Sequence, residues 1–189
     1  MIFATQAVDK EHIKLKKSQI LTLSIMPRVT ELLNQIVEWV QQYNSKELHK
    51  VNLDRGLTLE QIQSYLEGKS FTLPTEIIEL YQWRNGTGYG SLFPSAESGY
   101  DEQEFYSLAS ALKLGEEWEQ DFTPIVHVLP LFGFEGTYYW TVLPETQQEL
   151  ATLYVTDEAD FDTSSPNYPS LTAMLEKQIR RLKFVWKIG

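Results

Sequence analysis

Cysteine is absent from the whole 189-residue chain, so disulfides, thiolate nucleophiles and thiolate metal ligands are excluded together. Apolar residues never run to the roughly 18 in succession that a membrane-spanning helix requires. The most apolar patch near the N-terminus, Ile20 to Met26, is interrupted by Thr22 and Ser24, and no small-residue cleavage pattern follows it. These absences lead to the expectation of a soluble protein of the cytoplasm with no membrane association. Histidine is scarce as well. His12, His49 and His127 are far apart, and none has a carboxylate or a second histidine at the spacing a zinc-binding helix needs.

Basic residues are nearly missing from the middle of the chain. Residues 91–163 hold 15 acidic groups and 1 basic group, whereas residues 164–189 hold 5 basic and 1 acidic, within a net charge of −10. So negative a segment repels phosphate backbones, which argues against direct nucleic-acid binding. It complements a basic protein partner, and its ordinary alternative role is a solvated face that maintains solubility.

Motifs that carry chemistry fail on inspection. Gly68-Lys69-Ser70 imitates the end of a phosphate loop, but Gln63 stands where the first glycine belongs and a helix precedes it where a strand is required. The glycines of Asn85-Gly86-Thr87-Gly88-Tyr89-Gly90 follow a helix instead of opening one, so no helix N-terminus faces an anion. Asp157, Glu158, Asp160 and Asp162 lack the glycine and closing glutamate of a calcium loop. No Gly-x-Ser-x-Gly elbow occurs. The expectation is therefore a non-enzymatic protein with no catalytic residue, no cofactor and no metal.

What is present reads as one domain. Hydrophobic residues make up 42% and aromatics 13%, enough for a large core without staples. Residues 1–26 show no sustained period and read as an N-terminal extension, leaving 27–189 as the domain. Val29, Leu32, Leu33, Ile36, Val40 and Tyr43 recur at helical spacing after Met26-Pro27, with Asn44-Ser45 as the stop. Thr58-Leu59-Glu60-Gln61 has capping-box spacing, places Leu59, Ile62, Tyr65 and Leu66 on one face, and ends at Gly68. A third helix starts at Leu73-Pro74, turns Ile77, Leu80 and Tyr81 inward and stops at Asn85-Gly86, where asparagine caps it and glycine takes positive φ. A fourth, shorter helix is expected from Ser107, burying Leu108, Ala111 and Leu112. From Ile125 the period becomes two. Ile125–Phe132, Thr137–Leu143 and Leu150–Thr156 read as an antiparallel meander, the first pair joined at Glu135-Gly136. A last helix follows Ser170 and buries Leu171, Met174, Leu175, Ile179 and Leu182. Helices packed around a central, mostly antiparallel sheet make an α+β fold.

The order of these signals resembles the SUKH superfamily, which includes the yeast cell-wall assembly and killer-toxin resistance regulator. The resemblance rests on Leu73-Pro74, Leu80-Tyr81, Asn85-Gly86 and Leu92-Phe93-Pro94. Gly56-Leu57-Thr58 lies upstream, and Phe105–Leu112, Leu129-Pro130-Leu131 and Tyr168-Pro169-Ser170-Leu171 lie downstream. It covers about residues 29–182. It implies an α+β fold without catalysis. It also implies either an immunity protein that neutralises a toxin or a regulatory or scaffolding interaction module. Under it, Leu73, Pro74, Tyr81, Asn85 and Gly86 form the structural motif. The acidic residues Glu116, Glu117, Glu119 and Asp121, and then Asp157, Glu158, Asp160 and Asp162, are the candidates for meeting a basic toxin domain. Tyr89 and Phe93 are candidates for the border of a partner-binding cleft.

Overall fold

A computed structural model describes residues 29–43, 55–87, 93, 104–121, 126–134, 136–157 and 163–185. The expected extension, residues 1–26, lies outside them, as do the Met26-Pro27 start and the Asn44-Ser45 stop. In chain order the elements are α1 (Val29–Tyr43), α2 (Leu59–Leu66), α3 (Thr75–Trp83), β1 (Glu104–Phe105), α4 (Leu108–Asp121), β2 (Val128–Phe134), β3 (Thr137–Val142), β4 (Leu153–Asp157) and α5 (Leu171–Val185). The fold is α+β. The strands form one sheet in the order β1-β2-β3-β4, and every neighbouring pair is antiparallel. No helix among the described residues is long and apolar enough to cross a membrane.

Alternation along the strands gives the sheet two distinct faces. One face presents Phe105, Leu129, Leu131, Phe132, Leu143 and Leu153 to the main core, where the helices bury Leu33, Ile36, Ile77, Leu80, Leu171 and Leu175. Each such side chain contributes about 1.5–3 kcal/mol by leaving water. The register slips between Pro130 and Phe132, so Leu131 and Phe132 both serve that core despite being adjacent. The second face carries a smaller cluster of Trp118, Val128 and Trp140, with Leu114, Tyr138 and Tyr154 packed against it.

Helix α4 joins the two. Leu108, Ala111 and Leu112 enter the main core, and Leu114 and Trp118 enter the smaller cluster. At Gly115 the helix backbone meets β2 so closely that a Cβ would stand 2.2 Å from the Val128 carbonyl oxygen. Only glycine fits there. The helix has 14 residues, against 8 in α2 and 9 in α3, which corrects the expectation of a short element. Its later part packs Leu114 and Trp118 into the smaller cluster and Gly115 onto the β2 backbone.

Local signals act as read at several ends. Thr58 and Gln61 form the reciprocal capping box, each side chain serving the other's backbone N–H at 3.3 and 2.8 Å. Gly68 and Gly136 have φ of +76° and +93°. Only Ile62 of α2 is buried, however, and Leu59 and Tyr65 are exposed, so its apolar face is narrower than its spacing implied. The middle strand of the meander begins at Thr137 as expected, and the strands on either side of it begin three residues later than expected. His127 takes a positive φ of 56° just before β2, and Ala151 is drawn out of line by a side chain of α3.

Candidate functional site

Helix α3 and its exit organise the rest of the helices. Leu73 is buried and its carbonyl oxygen accepts from Gln147 Nε2 at 2.9 Å. The first two N–H groups of the helix, Thr75 and Glu76, donate to the Gln148 and Glu149 carbonyls, and the next two, Ile77 and Ile78, to that of Pro74. The buried carboxylate of Glu76 accepts three backbone N–H groups: Ala151 at 2.8 Å, Leu171 at 3.0 Å and Thr172 at 3.0 Å. The last two are the opening donors of α5, whose next donor, Ala173 N–H, goes to Ser170 Oγ. One turn further on, Glu79 accepts from Val29 N–H, the first residue of α1, at 3.2 Å. Trp83 donates its indole N–H to Asn34 Oδ1 of α1 at 2.8 Å.

Asn85 does not cap α3. The α3 C-cap is Arg84 in an extended conformation, and Asn85 Oδ1 instead accepts from Leu108 N–H at 2.9 Å, capping the N-terminus of α4. Gly86 does have positive φ, +102°, and it also lies against the backbone that leads into α4. A Cβ would meet Ser107 N at 3.0 Å and Phe105 O at 3.1 Å. The ring of Tyr81 lies 5.4 Å from that of Phe105, and burial pushes its phenol well above the ordinary tyrosine range. The motif residues thus hold helix starts and core rings, and α3 fastens α1, α4 and α5 through Glu79, Asn85 and Glu76.

The acidic candidates separate. Glu116 is tied to Lys69 Nζ, and Glu117 pairs with Lys113 one turn before it at 3.5 Å. Glu119 is only partly exposed, and its Oε1 accepts from Val128 N–H at 3.3 Å, fastening the start of β2 to α4. It is therefore a structural residue and not a free recognition charge. Asp121 is exposed at the last position of the helix, and no basic residue stands in that last turn. Asp157 ends β4, opposite Thr137. Glu158, Asp160, Asp162 and Tyr89 lie outside the described residues. Phe93 belongs to the core: it is 5% exposed and packs edge-on against Phe132 at 5.2 Å, so it does not border an open cleft.

Sequence reasoning gave no prominence to the second face of the sheet. Trp140 stacks on Tyr154 at 4.8 Å, and Trp118 packs edge-on against Tyr138 at 4.9 Å. Tyr138 and Tyr154 are half-buried, and Val142, beyond Trp140 on the same side of β3, is 37% exposed. Val126, just before β2, is 60% exposed. At the opposite end Glu104 lies near Tyr106 and pairs with Gly133, which pairs in turn with Tyr138. Burial raises the pKa of the Glu104 carboxyl. Burial, then the neighbouring Tyr138 and Glu104, push Tyr106 up to about 12. The run of three consecutive aromatics in β3, Tyr138-Tyr139-Trp140, was the signal that could have revealed this face, because neighbouring positions of a strand point to opposite sides.

His127 packs its ring 5.1 Å from Phe71 and sets Nε2 3.3 Å from the exposed Ser70 Oγ. With Lys69 on Glu116 and Thr72 N–H on the Pro144 carbonyl, this contact stitches residues 69–72 to the end of the sheet. No cluster of three or more metal-ligating side chains occurs among the described residues. No protein-family model matches the chain, and no curated protein matches it.

Proposed function

We propose that this chain is a non-enzymatic, cytoplasmic protein-binding domain of the SUKH type, acting as an immunity protein that neutralises a toxin with a basic surface. The observation that carries this reading is the acidic end of α4. Asp121 places negative charge at the negative end of the helix dipole, with no basic residue in the last turn, while Glu117 one turn earlier is offset by Lys113. Charge so placed opposes the fold by about 0.3–1 kcal/mol per group instead of supporting it. It does favour approach of a cationic surface, where charge complementarity accelerates encounter. Fifteen acidic residues against one basic over residues 91–163 extend the same field.

The test is capture of the partner from the cell of origin, followed by association rates at two salt concentrations. A basic partner should associate faster at low salt, and Glu117→Gln with Asp121→Asn should slow association more than they speed dissociation. Exposed Val126 and half-exposed Tyr138 and Tyr154 favour a second reading, a regulatory or scaffolding module that binds through apolar and aromatic area. An acidic or neutral partner that associates at a salt-independent rate would establish that second reading and overturn the first. Saturable hydrolysis of an ester, phosphate or nucleic-acid substrate, lost on changing one residue, would overturn both.

A further inference from the structure

We infer that the second face of the sheet, from Tyr138 and Tyr154 to Val142 and Val126, is where a cationic partner segment docks, with arginine or lysine side chains lying among apolar ones. The inference rests on the protein-binding reading above and names the surface and the chemistry it takes. The face is built from α4 and the strands, whereas the main helices serve the other side. Val142, paired with Val128, leaves apolar surface in water at the end where Glu119 of α4 meets Val128, and Val126, two residues before Val128 in the chain, is exposed next to that end. Between them and Glu104 lie the tyrosines, whose ring faces attract cations.

Charge complementarity selects the occupant. Acidic groups stand at both ends of the face, with Glu104 in the same cross-strand row as Tyr138 through Gly133, and Asp121 two residues beyond the Glu119 contact to Val128. None of the described strands contains a lysine or arginine. An arginine satisfies ring and carboxylate together, since its planar group stacks and pairs at once. A nucleic acid would meet like charge at both ends of the face, and a neutral helix would leave those carboxylates unanswered.

A short synthetic peptide alternating arginine with leucine is the probe, with its glutamate–leucine counterpart as control, added to the full chain and followed by NMR. The arginine peptide should shift the indole resonances of Trp118 and Trp140 and leave Trp83, held on α1, unmoved. The glutamate peptide should shift none of them. Val142→Arg, and separately Val126→Arg, should weaken the effect by at least about tenfold, because a like charge then faces the peptide. An unchanged Trp83 resonance in both variants would report an intact fold. Equal response to the two peptides, no response, or undiminished response in both variants would overturn the inference. So would shifts on concentrating the protein alone, which would place a second copy there. Contacts from the chain's first residues to Tyr154 would overturn it too, by placing the chain's own N-terminal segment on this face. If the arginine peptide's effect is lost on neutralising Glu117 and Asp121 but survives both valine changes, the docking face falls and the protein-binding reading stands. A salt-independent partner overturns the immunity reading whatever the peptides do.

Discussion

Glu76 and Glu79 stand at the N-terminal ends of α5 and α1, where their carboxylates receive backbone N–H groups that the helices cannot use themselves. Glu117 and Asp121 stand at the C-terminal end of α4, where the unused groups are carbonyls and the dipole is already negative. The residue chemistry is the same and the consequence opposite. At α3 each carboxylate completes hydrogen bonding that burial would otherwise leave unmet. At α4 the exposed carboxylate of Asp121 works against its own helix, while that of Glu117 is answered only by Lys113 at the surface. A count of acidic residues cannot make this distinction. Glu119, between Glu117 and Asp121 in sequence, belongs with the structural group because its oxygen meets Val128 N–H.

The largest effect should come from breaking the structural side. Glu76→Ala would orphan three backbone N–H groups, two of them on buried contacts, near Ala151 and the start of α5. At about 1–3 kcal/mol for each buried unsatisfied donor, the loss should reach about 3 kcal/mol or more in a urea titration. Glu76→Gln, which keeps one acceptor oxygen, should lose less. A change below about 1 kcal/mol for the alanine variant would remove Glu76 from the group and with it the contrast.

Next come the residues at the α3 exit. Gly86→Val forces a β-branched residue into positive φ and drives its Cβ onto Phe105 and Ser107, with an expected cost of about 1–3 kcal/mol. Asn85→Ala should cost about 1 kcal/mol as the loss of the acceptor for the first N–H of α4, whose N-cap residue is Ser107. The Asn85 loss should appear as faster amide exchange in the first turn of α4, not in the last turn of α3. Exchange that quickens in α3 instead would restore the plain reading of Asn85 as a cap for its own helix.

A smaller effect sharpens the division inside α4 itself. Glu119→Ala removes a partly buried acceptor and should cost about 1 kcal/mol. Glu117→Ala removes an exposed ion pair and should fall within about 0.5 kcal/mol of zero. Equal thermal shifts for the two would show that the contact to Val128 carries no weight and that all the acidic residues of this helix end form one class.

Much of this fold was legible because its signals are local. The capping box at Thr58, the buried series of α1 and α5, and the change to a two-residue period all depend on neighbours within a few positions. The hub at Glu76 was not legible, since its partners lie 75, 95 and 96 residues away and no spacing rule connects them. β1 was missed because two residues make no pattern. The length of α4 was not legible because Leu108, Ala111 and Leu112 serve the main core while Leu114 and Trp118 serve the second face, so no single apolar stripe runs along it. On the candidate site, charge density pointed to the end of α4, yet sequence could not separate Glu119 from Asp121. The exposed valines and half-buried tyrosines of the second face became a surface only once the strands were paired.

Glu104 is a third kind of carboxylate and should give the smallest effect. It sits on the short edge strand β1, where burial raises its pKa above the ordinary value. A raised folded-state pKa means that the folded chain holds this proton more tightly than the unfolded chain does. The stability it contributes is therefore fully present below the unfolded pKa near 4.5 and is lost as pH rises through the folded value. This runs opposite to a carboxylate whose pKa is lowered by partners. Because the group is largely open to solvent, the difference should be no more than about a few tenths of a kcal/mol. Glu104→Gln keeps the shape and cannot ionise, so its stability relative to the parent should rise between pH 4 and pH 7, roughly the window that brackets an ordinary glutamate. Urea midpoints of the two proteins at those pH values measure it. A relative fall would mean that Glu104 gains a partner when ionised, and it would then join Glu76 on the structural side of the comparison.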